Sequence, residues 1–160
     1  MDKARNFKIE GVSLNWARLD SPVNPFGTEQ YELQIATADK AKADDLKANH
    51  FNVKEKDGMF VVSLKRKAKK ADGSDNGKVR VVNADLSPME NTRILGNGSI
   101  GNVVVFQYPY SAAGRTGIAN SLTAVQVTKL EKYESVASAD FTAVDGVEVT
   151  EEVKPTAELF

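Results

Sequence analysis

The chain has 160 residues, with 21 Lys and Arg against 22 Asp and Glu, no cysteine and a single histidine, His50. That length suits one domain with a sizeable core. The lack of cysteine removes disulfides, thiolate metal sites and a cysteine nucleophile, and one histidine removes most imidazole-based schemes, so a non-enzymatic chain without metal or cofactor is expected.

The near-neutral total hides an asymmetry. Residues 1–134 carry 20 of the 21 basic residues against 16 acidic ones, a net +4, whereas residues 135–160 carry Lys154 against six acids, a net −5. A mildly basic body with an acidic tail fits a nucleic-acid surface joined to a partner-binding or self-masking segment; a solvated surface with a solubility tail fits the charge equally well. There is no apolar run of about eighteen residues, and the opening "MDKARNFKIEG" is charged from its second residue, so no membrane span or secretory signal is expected and the location is read as cytoplasmic.

In chain order, "NFKIEGVSLNWARL" reads as a long strand whose apolar phase changes at Gly11, the mark of a bulge. "SPVNPFG" is a loop, and "EQYELQI" alternates Tyr31, Leu33 and Ile35 against polar neighbours as a half-buried strand. The segment 38–49 is the one convincing helix, with Thr37 or Asp39 as N-cap and Asn49 at its exit. "MFVVSLKRK", "KVRVVNA", "NVVVFQYPY" and "IANSLTAVQVTKL" are four further strands. One helix among about six strands predicts an all-β barrel or sandwich with an inserted helix. From about residue 134 the alternation fades into small and acidic residues, with room for one short strand near "VEVTEEV".

Two features point to chemistry. Lys65, Arg66, Lys67, Lys69 and Lys70 run into "ADGSDNG" and on to Lys78 and Arg80, a charged hairpin suited to tracking a phosphate backbone, or equally to guarding a sheet edge against aggregation. Phe106, Tyr108 and Tyr110 share one strand face; the core is the expected place for Phe106, whereas the two tyrosine hydroxyls call for water or a partner. Trp16 is expected to be partly core, and Phe26 lies on a Pro/Gly loop where a ring is hard to bury. "DGSDNG" starts like a calcium loop but has Asn83 at the twelfth position, so it reads as a turn. Asn97-Gly98-Ser99 reads as a glycine-rich loop, Asp44-Asp45 as a solvated helix face, and His50 as structural.

"NTRILGNGSIGNVVVFQYPY" followed by "GRTGIANSLTAVQVTKLEKYE", with the helix after "YELQIAT", resembles the phage-encoded single-stranded-DNA-binding proteins of the OB-fold type over residues 7–133. The resemblance implies an OB-fold domain at 1–134, of five to six strands with one inserted helix, and a flexible acidic tail at 135–160. It also implies a protein that coats unpaired DNA, without sequence preference, during phage replication, recombination and repair in the bacterial cytoplasm. Members are similar in closing an acidic tail with an aromatic residue, and Glu151, Glu152, Glu158, Leu159 and Phe160 stand in those places as a docking segment for replisome proteins such as a polymerase or helicase. The expected DNA contacts are Lys65, Arg66, Lys67, Lys69, Lys70, Arg80, Arg93 and Arg115 on phosphates, with Tyr108, Tyr110, Trp16 and Phe26 as stacking rings. A homodimer is left open. The alternatives are a virion module with a docking tail and a binder of double-stranded DNA or RNA on the same fold.

Overall fold

Residues 3–24 and 27–132 are described by a computed structural model. Phe26, the boundary near 134 and the tail residues Glu151, Glu152, Glu158, Leu159 and Phe160 lie outside the described residues.

The elements are β1 (Arg5–Val23), β2 (Gln30–Thr37), α1 (Lys40–Ala48), β3 (Lys54–Lys56), β4 (Met59–Lys67), β5 (Arg80–Asn83), β6 (Ser99–Ala112) and β7 (Arg115–Lys129), with one 3-10 turn at Thr92–Ile94. The strands form a single sheet in the order β3-β4-β2-β1-β6-β7-β5. Neighbours are antiparallel except β5 beside β7. The sheet curls until β4 lies against β7. The all-β architecture with one helix is therefore as expected. The strand beyond the expected six is β3, joined to β4 by Asp57-Gly58 with φ of 53° and 79°. Both central residues in the left-handed region make this the tight hairpin turn whose twist matches that of the strands.

β1 spans nineteen residues because it bends twice. The first bend is at Gly11, φ 66°, where pairing with β6 jumps from Ile9↔Val103 to Val12↔Gly101. The extra residue restores the inward phase, so Ile9, Val12 and Leu14 all reach the core. The second is at Trp16, φ 52°, where pairing with β2 slips between Asn15 and Arg18. β6 also slips between Ile100 and Gly101, and a Cβ on Gly101 would collide with the Gln126 carbonyl oxygen and come within 2.9 Å of Leu14 Cδ1. Only glycine fits there.

The helix closes one end of the curled sheet. Asp39 caps it by accepting from the amides of Ala41 and Lys42, and the helix buries its own Ala43 and Leu46 on its sheet side. Just past it Phe51 packs on Phe7 at 5.3 Å between ring centroids. A buried polar knot locks this end: Gln107 accepts from Arg5 Nε at 2.8 Å and donates to the Asn49 carbonyl at 2.7 Å and to Asn120 Oδ1 at 2.8 Å. Asn120 in turn donates to the His50 carbonyl at 3.0 Å. A fully buried amide is tolerated because its hydrogen-bonding capacity is met.

That knot explains a departure from expectation. Phe106 is not in the core: it is 38% exposed, alongside Tyr108 at 39% and Tyr110 at 43%. The inward phase of β6 runs through Ser99, Gly101, Val103, Val105 and Gln107, leaving the three rings outside. In "VVVFQ" either phase is apolar enough, and the core admitted the glutamine because partners were waiting.

Candidate nucleic-acid interface

The second bend in β1 builds a recess in the surface. Trp16, expected to be partly core, is 58% exposed. A left-handed backbone at a tryptophan costs about 1–2 kcal/mol, and here the Trp16 amide is held by donating to Asn97 Oδ1 at 2.8 Å. The ring stands between two recesses. On one side is a groove of about 730 Å³ lined by Arg18, Asp20, Thr92, Arg93, Asn97, Glu131 and Lys132. On the other is a slot of about 220 Å³ floored by Gln30, Glu32, Gln34, Ser63 and Lys65 of β2 and β4.

The slot continues along β4. Ser63, Lys65 and Lys67 alternate outward while Val62 and Leu64 point into the core. Gln30 lies directly opposite Lys67, and beyond it Lys67, Lys69, Lys70, Asn24 and Glu29 line a third depression of about 560 Å³. The path the three recesses outline joins the groove to the slot at Trp16, which lines both, and follows the outward face of β4 from Lys65 in the slot to Lys67 at the third depression. Its cations are Arg18, Arg93, Lys132, Lys65, Lys67, Lys69 and Lys70, against the acids Asp20, Glu29, Glu32 and Glu131.

Individual cations differ in how free they are. Arg93 Nε donates to Asp20 Oδ2 at 2.8 Å, and that hydrogen bond with the Asp20 charge raises its already high pKa; it is oriented by one partner while its side chain stays 78% exposed. Arg66 behaves as a strut, donating through Nε and Nη2 to the carbonyls of Gly77 and Asn76 and pinning the 68–79 loop. Lys65, Lys67, Lys69 and Lys70 make no ion pair among the described residues. The loop after them is tight rather than floppy: Asp72 accepts from the Ser74 amide and hydroxyl, which holds its carboxyl below the usual range, and Asp75 accepts from the Gly77 amide. No cluster of metal-ligating side chains occurs among the described residues.

The structure thus gathers Lys65, Lys67, Lys69, Lys70, Arg93 and Trp16 on one path. It does not bring the remaining candidates there. Arg80 begins the edge strand β5. Tyr108, Tyr110 and Arg115 lie on the β6–β7 ribbon, which runs past the end of β1 pairing at Arg5↔Gln107. Phe106 and Tyr108 are 5.6 Å apart between centroids, and Tyr110 lies over Gly117 across the ribbon. Sequence reasoning missed Arg18, Lys132, Asn97, Gln30 and Gln34; only Arg18, two residues after an unusual tryptophan, carried a local signal.

No family profile matches the sequence, and no curated protein sequence matches it significantly. Solved structures do. The single-stranded DNA-binding protein from bacteriophage Enc34 in complex with ssDNA matches at a TM-score of 0.58 and 16% identity, over 79% of this chain and 87% of that one. Gp2.5, a single-stranded DNA-binding protein encoded by bacteriophage T7, matches at a TM-score of 0.55 and 17% identity, over 92% of this chain and 100% of that one. The fold is therefore the all-β, OB-like fold with one helix that these proteins share.

Proposed function

We propose that this chain binds single-stranded DNA without catalysis, coating it during phage replication, recombination and repair in the bacterial cytoplasm. The observation that carries the reading is Trp16: a large ring held out of the core on a left-handed bend, beside recesses lined by cations. A stacking platform inside an electrostatic track is what an unpaired strand requires, because bases stack on rings while phosphates follow the charge. The fold shared with the phage proteins supports the same reading. Tyr108, Tyr110 and Arg115 supply a second surface for a longer strand, and residues 135–160 serve as the docking segment for replisome proteins. Among the described residues no helix is long and apolar enough to cross a membrane.

Titrating the protein with a single-stranded oligonucleotide and with a duplex of equal length tests this directly. Tighter binding of the single strand, with Trp16 emission quenched as the complex forms, is expected. Preference for the duplex, or binding that leaves Trp16 emission unchanged, would overturn the proposal.

A further inference from the structure

The slot beside Trp16 contains a carboxylate where a track for phosphates has no use for one. Glu32 lies directly across from Arg18 on β1 and from Lys65 on β4. Among the described residues it forms an ion pair with neither. Its partner is instead Gln30, a residue only 9% exposed, whose Nε2 donates to Glu32 Oε2 at 2.5 Å. A buried amide therefore fixes the acid in the floor of the slot, and Gln34, two residues on along the same strand, adds a second amide to that floor.

A fixed negative charge here repels phosphates and directs them to the lysines and arginines on either side, leaving the slot to the base. An ionised carboxylate only accepts hydrogen bonds. Cytosine offers it the N4 amino group as a donor; thymine places the O4 carbonyl at the same position, acceptor against acceptor. The two rings are the same size, so stacking on Trp16 scarcely separates them, and Glu32 does.

Resting on the reading of the chain as a single-stranded-DNA binder, we infer that the slot between Trp16 and Glu32 is a base-selective subsite that favours cytosine over thymine. Binding is then graded by base composition along a track otherwise indifferent to sequence. The amide group of Gln34 serves the unprotonated ring nitrogen that cytosine carries beside its amino group.

The test uses the full chain and labelled single strands of equal length, all dC, all dT, and all N4,N4-dimethyl-dC, followed by anisotropy at mildly alkaline pH where cytosine is neutral. Wild-type protein is expected to bind dC at least about fivefold tighter than dT, with the dimethylated strand as weak as dT because both amino hydrogens are gone. Glu32→Gln removes the repulsion, so affinity for every strand rises, while the dC to dT ratio collapses to about twofold or less. Wild-type binding of dT or of the dimethylated strand as tight as dC overturns the subsite without any variant, as does an unchanged ratio in Glu32→Gln. Should all strands bind with equal, salt-dependent affinity, the subsite is refuted and the DNA-binding reading stands; should none bind, both are refuted.

Discussion

Trp16 separates function from stability in a way that two substitutions resolve. Its ring is 58% exposed and lies outside the buried cluster, so Trp16→Ala removes little apolar burial and leaves stability nearly unchanged. Trp16→Gly adds a backbone effect. Relief of the left-handed strain returns about 1–2 kcal/mol, and the greater freedom of glycine in the unfolded chain takes back about 0.5–1 kcal/mol. At the midpoints of these ranges the glycine variant should be more stable than the alanine variant by about 0.75 kcal/mol, a rise in melting temperature of about 1.5–3 °C. The hydrogen bond from the residue-16 amide to Asn97 is retained in both.

Affinity should move the other way. Loss of a stacking ring costs about 1–3 kcal/mol per base, so both variants should bind a single strand about 5- to 150-fold more weakly, and equally so. Thermal unfolding with anisotropy titrations on the same preparations reads both quantities. Should Trp16→Ala lower the melting temperature sharply, the ring is a packing element. Should both variants keep full affinity, the strand runs elsewhere.

Charge reversal of Lys65, Lys67 and Lys69 to glutamate should flatten the plot of log affinity against log salt by about 2, from about 0.7 for each lost phosphate contact; an unchanged slope would place the phosphates on another face. Gly101→Ala should destabilise the fold by about 3 kcal/mol or more, since the new methyl meets the Gln126 backbone across the β6–β7 pairing, and wild-type stability in urea denaturation would contradict that contact. Tyr31 has its pKa raised above 10.0, mainly by burial and then by Asp75 and Glu29. Its neutral form is thus favoured in the fold, and the stability it contributes is full below pH 10.0 and lost as pH rises through the higher folded value. The melting temperature of the wild type should accordingly fall faster than that of Tyr31→Phe once pH passes about 10.

The strands and the helix were legible because their signals are local. The phase change at Gly11, the Asp39 cap and the alternation in β2 each fix a few residues without reference to the rest. β3 was missed although "KEKDGMF" sets Asp-Gly, a strong hairpin signal, between short extended runs, because its three exposed residues offer no apolar alternation. Phe106 and Trp16 were misplaced for a different reason. Which phase of "VVVFQ" turns inward depends on Asn49, Asn120 and Arg5 meeting Gln107, and these partners are far apart in sequence. The outward turn of Trp16 depends on a bend that glycine would have announced and tryptophan concealed. The basic cluster at 65–70 was visible as composition; that it continues past Trp16 to Arg18, Arg93 and Lys132 is a property of the curled sheet alone.

The two aromatic surfaces are too far apart to serve one short strand. Trp16 is tied to Asn97, beside the start of β6 at Ser99, and Tyr108 and Tyr110 lie near its end. At about 3.3 Å per residue, the nine steps from Ser99 to Tyr108 amount to about 30 Å along the strand. An oligonucleotide filling only the recesses around Trp16 cannot reach the tyrosines, so their contribution must grow with the length of the DNA. Tyr108→Ala with Tyr110→Ala should then leave the affinity for a very short oligonucleotide untouched and weaken that for a long one. Trp16→Ala should weaken both. If the tyrosine pair matters equally at every length, the strand begins on the ribbon and the groove is secondary; if it never matters, the exposed rings on β6 serve a protein partner, and the groove beside Trp16 carries the DNA alone.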